Sequence, residues 1–319
     1  MEALQTYLRA QGKAFTLWAN PQITASNYSS RSSANYPLIE LDGMLAFTGF
    51  YFIIALWGII KYYSSQSTTS SNQKSVSSTK SVTTKDNEKK SSDSWSLAKA
   101  LAKLNAEPIL WFVSFYNLAQ VVICTYMCVE IILAVFSPTY HPGHKAKNLL
   151  PICLPHSITE PAVARVHWVF YVSKILDFLD TVFIIVRGKW DQFIFLHVYH
   201  HLSVFPVQWI ISTAGMDGDA WWPVFANAFI HVIMYTYYGL TTLGIKVWWG
   251  RFLTIMQMTQ FVSMIIHSGY LVIKGCPYPL VTTLVYHIYV VSLLVLFAQF
   301  YVKKHGFGGG SKSKAVKAE

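Results

Sequence analysis

Charged residues are scarce in this chain, where Asp, Glu, Lys and Arg together make up 13% of the 319 residues. A soluble globular domain carries about twice that share, so the composition argues against one. Hydrophobic residues account for 53% of the chain, and the mean hydropathy is +0.35. These values are typical of a protein that crosses a membrane several times.

Cysteine is also scarce. The chain has four cysteines, Cys124, Cys128, Cys153 and Cys276. They are too few and too scattered for the disulfide framework of a small secreted domain or for a cysteine-based zinc site. We expect no cleavable signal peptide, because the first apolar run begins near Met44, far from the N-terminus. No segment repeats at a fixed period.

The chain contains seven long apolar runs. Each approaches the ~20 residues that cross a bilayer as one helix. We therefore predict an all-α membrane protein with about seven transmembrane helices. The fourth and fifth runs are the least uniform, because His, Gln and Tyr interrupt them. The runs cover residues 44–61, 109–136, 163–186, 191–213, 221–243, 250–273 and 279–302.

Composition divides the chain further. Between Ser64 and Ser94, 17 of 31 residues are Ser or Thr, and such a segment cannot bury a core. We predict that this linker is disordered and that the glycine-rich tail is flexible. The predicted parts are an N-terminal segment 1–43, a first transmembrane helix 44–61, a linker 62–108, a six-helix bundle 109–302 and a tail 303–319.

The net charge of +10 could suggest a nucleic-acid partner. However, Lys and Arg lie mostly between and after the apolar runs, so we expect no nucleic acid to bind. With seven spans, 17 of the 25 Lys and Arg fall on the side of the C-terminus, and seven fall on the side of the N-terminus. Because cytosolic loops carry the excess of Lys and Arg, we predict a cytosolic linker and C-terminus.

The run 191–213 contains the stretch "FLHVYHHLSVF". Its histidines His197, His200 and His201 are spaced i, i+3 and i+4, and so share one helix face. A single buried histidine is usually only hydrogen-bonded, but three on one face inside a membrane indicate function. Two chemistries fit these imidazoles: binding of a metal ion, or catalysis as nucleophile and general base.

The run 163–186 carries a second polar face. Lys174, Asp177, Asp180 and Thr181 recur at helical spacing, and Lys174 can pair with Asp177 one turn further on. A structural ion pair that holds this span to its neighbours explains the pattern as simply as a polar chamber does.

Two further spans also have polar faces. Tyrosines at the membrane interface would explain the first polar face, and polar contacts between helices would explain the second, without any function. However, His231 lies on the same face as the tyrosines of the first span, which favours a functional role there. The residues are Asn227, His231, Tyr235 and Tyr238 in the run 221–243, and Thr254, Gln257, Gln260 and His267 in the run 250–273.

A metal-dependent membrane hydroxylase or desaturase is one alternative. The di-iron enzymes of this class use several paired histidine boxes, but the 11 histidines of this chain form only one box. A site with one metal ion and three histidines stays open, although no carboxylate partner is evident. A seven-span lipid-binding receptor without catalytic activity is a second alternative.

Four motifs, taken in order, resemble those of the ELO fatty-acid elongases, the 3-ketoacyl-CoA synthases of the endoplasmic reticulum. The resemblance covers roughly residues 105–305, including the seven-span plan. Asp177 departs from the usual Glu, which keeps the carboxylate but shortens its reach, and the Ser/Thr linker is unusually long. The motifs are "KILDFLDT" (174–181) for K-x-x-E-x-x-D-T, "HVYHH" (197–201) for H-x-x-H-H, "HVIMYTYY" (231–238) for H-x-x-M-Y-x-Y-Y and "TIMQMTQ" (254–260) for T-x-x-Q-x-x-Q.

The resemblance implies a reaction and an architecture. Malonyl-CoA condenses with a long-chain acyl-CoA to a 3-ketoacyl-CoA, with release of CO2 and CoA and without a cofactor or metal. The stretch "QFIFLHVYHH" (192–201) is similar to members that extend polyunsaturated chains. Six spans would enclose an acyl-chain tunnel, with the first span outside and CoA at the cytosolic face. Membrane lipid and the ketoreductase, dehydratase and enoyl reductase of the elongation cycle are the implied partners.

The resemblance also implies roles for single residues. His200 would be the nucleophile, His197 and His201 would orient it or move its proton, and His231 would act on the malonyl group. The other implied residues are Asp177, Asp180, Gln257 and Gln260 for polarisation, Lys174, Thr181, Gln192, Asn227, Tyr235 and Tyr238 for substrate contact, and Arg187, Lys189, Lys246 and Arg251 for the CoA phosphates.

Cys153 and Cys276 fall in two loops that the charge pattern places on the same luminal, oxidising side. We predict a disulfide between them, which would tie the loop 137–162 over that end of the bundle. Two independent thiols are the alternative, because a shared side does not bring the Cα atoms within ~7 Å. Cys124 and Cys128 are expected to be small buried residues inside the second span.

Overall fold

A computed structural model describes residues 2–76, 97–136, 151–154 and 163–306. These residues are mostly helical, apart from the connection 20–40 and shorter loops, and they contain no strand, so the all-α prediction is confirmed. The helices are α1 (Glu2–Ala19), α2 (Leu41–Val76), α3 (Leu97–Ala106), α4 (Ile109–Phe136), α5 (Ala164–Leu176), α6 (Phe178–Val186), α7 (Phe195–Ala214), α8 (Trp221–Thr242), α9 (Leu253–Lys274) and α10 (Leu280–His305).

Each predicted apolar run coincides with a helix, and the run 163–186 is divided into α5 and α6 at Asp177. Within the described residues, three stretches are long and apolar enough by themselves to cross a membrane: Leu41–Ser67, Ile109–Phe136 and Leu280–His305. Helices α7, α8 and α9 carry the predicted polar residues, which lower their hydropathy, whereas α5 and α6 are each too short to cross a membrane alone. The protein is a membrane protein, and the number of seven crossings stays a prediction.

The prediction of disorder between Ser64 and Ser94 is wrong for residues 64–76, which are helical. Helix α2 continues through the Ser/Thr-rich beginning of the linker to Val76, and α3 occupies the end of the linker. Extending a helix that already exists costs much less than starting one, so an apolar span can carry polar residues with it. Helix α3 consists mostly of Ala, Leu and Lys, which are strong helix formers. Residues 77–96 of the linker and 307–319 of the tail lie outside the described residues.

The bundle is held together by helix pairs. Helix α4 packs along α8 and α9 along α10, while α7 contacts α2, α5 and α10. Stacked rings of Tyr171 and Phe205, with centroids 4.7 Å apart, join α5 to α7. Helix α2 packs against α6 and α7, and its Tyr51 is fully buried in this contact.

The end of the bundle where α7 finishes and α8 begins is closed by cross-links. Cys153 and Cys276 form a disulfide with their Cα atoms 5.0 Å apart. The backbone N–H groups of Cys153 and Leu154 donate to the carboxylate of Asp219, at 3.1 and 3.0 Å. The hydroxyl of Tyr278 donates to the carbonyl of Gly215 at 2.6 Å. Most of the predicted loop 137–162, with His141, His144 and His156, lies outside the described residues.

Candidate active site

An open chamber of about 820 Å³ lies between α4, α6, α7, α8, α9 and α10. This volume falls in the range of small-molecule pockets, which is about 300–1,000 Å³. Helix α2 contributes no residue to the lining, as expected for a first span packed outside six others. The chamber opens where α6, α8 and α10 end and where α7 and α9 begin.

The three histidines of the first turns of α7 line the chamber together with His231 of α8. The ring centroids of His197 and His201 are 4.4 Å apart, and those of His200 and His201 are 5.3 Å apart. Because residues i, i+3 and i+4 share a helix face, the spacing in the sequence accounts for this cluster. Among the described residues, Nδ1 of His201 is buried and has no hydrogen-bond partner.

Neighbouring hydroxyl groups hold two of these rings. The hydroxyl of Thr181 lies 2.8 Å from Nε2 of His197, and it also lies 3.2 Å from the hydroxyl of Tyr51. The hydroxyl of Tyr289, on α10, lies 3.3 Å from Nδ1 of His200. Thr181 and Tyr289 are outside the chamber lining, so each fixes a histidine from behind and leaves its other face to the chamber.

A buried ion pair supports the chamber wall. The ammonium of Lys174 donates to Asp177 at 3.1 Å and to the amide oxygen of Asn227 at 3.2 Å. Gln120 of α4 donates to the other carboxylate oxygen of Asp177 at 2.7 Å. The side chains of Lys174 and Asp177 are only 3% and 5% exposed. The predicted pairing is therefore present, and Lys174 stands behind the wall rather than in the lining.

Asp180 belongs to a neighbouring tyrosine network. The hydroxyl of Tyr235 donates to Asp180 at 2.8 Å and lies 3.4 Å from the hydroxyl of Tyr116. The ring of His231 packs edge-on against Tyr235, with centroids 5.5 Å apart. Asp177, Asp180 and Tyr235 all line the chamber. The carboxylates of the first motif and the histidine of the third thus meet in one wall.

Helix α9 supplies two amides to the chamber. Gln257 and Gln260 both line it. Their nearest described contacts are weak, since Gln257 lies 3.5 Å from the sulfur of Met234 and Gln260 3.6 Å from that of Met264. These amides are therefore available to a substrate. His267 lies instead at the opposite end of the bundle, 3.5 Å from Asp219.

The rim of the chamber is basic, but not with all the residues expected from the sequence. Arg187 and Lys189 line it, and Lys103 of α3 and Lys304 of α10 join them. Lys246 and Arg251 do not line it, and the guanidinium of Arg251 lies 4.7 Å from the ring of Phe252. The position of a residue in a short loop does not tell which way its side chain points, so this part of the site could not be read from charge alone.

Three polar residues of α4, which were not among the predicted site residues, belong to the site: Tyr116, Asn117 and Gln120. Tyr116 and Asn117 line the chamber, and Gln120 is buried behind it. The sequence does indicate them, because Asn117 and Gln120 are polar residues one helical turn apart in an apolar span. Polar groups inside a membrane are usually functional. The predicted Gln192, Asn227 and Tyr238 do line the chamber. Within the described ranges, no three His, Cys, Asp or Glu side chains are placed to hold a metal ion.

Comparison with known proteins gives a consistent set of relatives. The model of the family described as "ELO: GNS1/SUR4 family" matches residues 40–315, which include every chamber residue described above. The chain is 35% identical to "Very long chain fatty acid elongase 2" of Mus musculus over 209 residues, 65% of this chain and 68% of that protein. It is 35% identical to elongase 4 of Homo sapiens over 194 residues, 60% of each chain. It is 31% identical to elongase 5 of Xenopus tropicalis over 202 residues, 62% of this chain and 66% of that one.

Proposed function

This chain belongs to the ELO family of fatty acid elongases, and we propose that its histidine chamber condenses malonyl-CoA with a polyunsaturated long-chain acyl-CoA. The enzyme is a 3-ketoacyl-CoA synthase, whose product is two carbons longer than the acyl substrate and is released with CO2 and CoA. The observation that carries the proposal is the meeting of four imidazoles in one chamber beneath a basic rim. The proposed reaction uses no cofactor beyond the two CoA thioesters.

In the first half-reaction, Nε2 of His200 attacks the carbonyl carbon of the acyl thioester. The C–N bond forms, the C–S bond breaks, and CoA leaves as the thiolate, as in other covalent mechanisms. Attack by Nε2 requires the tautomer that keeps its proton on Nδ1. The hydroxyl of Tyr289, 3.3 Å away, is placed to accept that proton in a hydrogen bond. Thr181 fixes the ring of His197 beside the reacting atoms.

In the second half-reaction, malonyl-CoA loses CO2, and the electron pair of the broken C–C bond remains as an enolate. The enolate carbon attacks the acyl carbonyl, the C–N bond breaks, and His200 returns as a neutral imidazole. His231 and the amides of Gln257 and Gln260 line the same chamber and can stabilise the enolate oxygen. Arg187 and Lys103 on the rim suit the CoA phosphates.

Tyr289 is the positioning residue of this mechanism, and its removal has a specific expected effect. In Tyr289→Phe, His200 loses the partner that selects its tautomer. Partners that orient an imidazole are worth about 10- to 100-fold at metal sites, and we expect a loss of that size in kcat with KM unchanged. Steady-state kinetics with both CoA substrates measures it.

Tyr286→Phe is the matched control for this substitution. Tyr286 lies one turn earlier on α10, and its buried hydroxyl has no hydrogen-bond partner among the described residues. We expect near-normal kinetics for this variant. Equal losses in the two variants, or a change of KM alone in Tyr289→Phe, would show that Tyr289 only supports packing.

The substrate class is tested by extending defined acyl chains. Microsomes from a host without this activity, containing the protein, receive isotope-labelled malonyl-CoA and either saturated or polyunsaturated C18 and C20 acyl-CoAs. We expect two labelled carbons to be added to the polyunsaturated chains. Extension of saturated chains alone rejects the polyunsaturated assignment.

The same assay separates the two alternative functions. Activity that a chelator removes and iron restores favours the metal-dependent alternative. Binding of acyl-CoA without any product favours a lipid receptor.

We also propose an endoplasmic reticulum location with the C-terminus in the cytosol, next to the ketoreductase, dehydratase and enoyl reductase that process the product. The distribution of Lys and Arg supports this orientation, and so does the basic rim at the end where α10 finishes. In sealed microsomes, a C-terminal tag should be removed by added protease without detergent. A tag that is cut only after detergent is added reverses the orientation.

A further inference from the structure

Helix α1 is attached to the beginning of α2 through one face. Gln5 and Arg9 both reach the carboxylate of Asp42, at 2.8 and 3.4 Å. One turn later, Gly12 lies so close to α2 that a Cβ atom there would come within 3.0 Å of Cβ of Leu41. These three residues recur at i, i+4 and i+7, which places them on a single helix face.

The same face continues to the end of α7. The ring of Phe15 lies 5.6 Å from that of Trp209, and the amide of Asn20, just after α1, donates to the carbonyl of Ala214 at 2.6 Å. Leu41 starts α2 and Ala214 ends α7, so both attachment points are at the same end of the bundle. Helix α1 therefore lies across that end and does not run alongside the transmembrane helices.

A second face of α1 is apolar and uncovered. The exposed fractions of Leu4, Tyr7 and Trp18 are 62%, 60% and 65%. At about 100° per residue, these three side chains fall within one sector, which adjoins the attached face. Gln11 is also exposed and falls in the same sector, so the uncovered face of α1 is formed by one aliphatic, two large aromatic and one amide side chain.

The remaining face of α1 is polar. Glu2, Thr6 and Lys13 are exposed and lie in a sector opposite Leu4 and Tyr7. The helix is therefore divided into three parts: one contacts the bundle, one is mostly apolar apart from Gln11, and one is polar. This division is the one expected of a helix lying in the membrane–water boundary, with its apolar side in the lipid.

From this arrangement we infer that α1 is an interfacial helix whose Leu4, Tyr7 and Trp18 insert into the lipid surface at the N-terminal end of α2. The position favours lipid as the occupant, because α2 begins at that level and its first turns also expose apolar side chains, such as Leu45 at 44%. The residue types agree, since Trp and Tyr are enriched at membrane–water boundaries. The surface of α1 thereby continues the lipid-facing surface of the bundle.

Spin labels on opposite faces of α1 test this inference. Tyr7→Cys and Lys13→Cys, each in a background with Cys124 and Cys128 replaced by Ala, are labelled and reconstituted in phosphatidylcholine bilayers. We expect the label at position 7 to have a several-fold higher ratio of oxygen to nickel-chelate collisions than the label at position 13. Leu4→Cys with Thr6→Cys provides a second pair on the same two faces, should either variant of the first pair not fold.

Two outcomes contradict the inference. Equal access of the nickel chelate to both positions would place the apolar face in water. Exclusion of both oxygen and chelate from position 7 would mean that protein covers it, and a dipolar coupling between labels in two chains would identify a second copy. Neither outcome bears on the condensing activity, which does not depend on the position of α1.

Discussion

Replacing His200 with alanine should abolish condensation, with kcat reduced by at least about a thousandfold, while the chain stays folded and in the membrane. The substitution removes the only nitrogen proposed to carry the acyl group. We expect no neighbouring histidine to replace it, and the nearest partner of His197 Nε2 is already the hydroxyl of Thr181. Product formation from labelled malonyl-CoA measures the loss.

His287→Ala is the control for this prediction. His287 is also an intramembrane histidine, but it lies outside the chamber lining, with its Nδ1 atom 2.8 Å from the hydroxyl of Ser268. We expect this variant to retain most of its activity. Near-normal turnover of His200→Ala, measured at equal protein levels, would contradict the assignment of the nucleophile.

The second large effect concerns stability. Lys174→Met leaves the carboxylate of Asp177 buried without its ammonium partner, and breaking such a pair costs about 3–5 kcal/mol. We expect the midpoint of thermal unfolding in detergent to fall markedly. The loss should be far greater than for an exposed pair such as Arg9 with Asp42, where the Arg9 side chain is 53% exposed.

A double variant separates the charge from the packing. Lys174→Met with Asp177→Asn removes both charges, while the new amide can still accept the hydrogen bond from Gln120. We therefore expect the double variant to recover most of the stability lost in Lys174→Met. If the single variant is as stable as the original protein, or if the double variant is the less stable of the two, the ion pair does not have the proposed structural role.

Much of the fold could be predicted because long apolar runs in a sequence identify membrane helices. The histidine cluster followed from spacing alone, since positions i, i+3 and i+4 of a helix meet whatever the tertiary structure. The ion pair of Lys174 and Asp177 followed from the same rule. Each of these predictions depends only on geometry within one helix.

The remaining features depend on contacts between distant parts of the chain. Helix α1 has a weaker signal, and its attachment to Asp42 and Ala214 appears only once the bundle has formed. The rim contains Lys103 of α3 and Lys304 of α10 in place of Lys246 and Arg251, because it depends on how α3 and the end of α10 pack against the other helices. Tyr289 reaches His200 from 89 residues further along the chain, and no local pattern predicts that contact.

The acyl transfer to His200 is tested most directly by withholding malonyl-CoA. Purified protein incubated with acyl-CoA alone should release about one CoA per active chain, as expected for a two-step covalent mechanism. Mass spectrometry should then find the acyl group on the peptide that contains His200, and added malonyl-CoA should remove it as the 3-ketoacyl product. If CoA is released only when malonyl-CoA is present, or if His200→Ala carries the same adduct, the account of this chamber is contradicted.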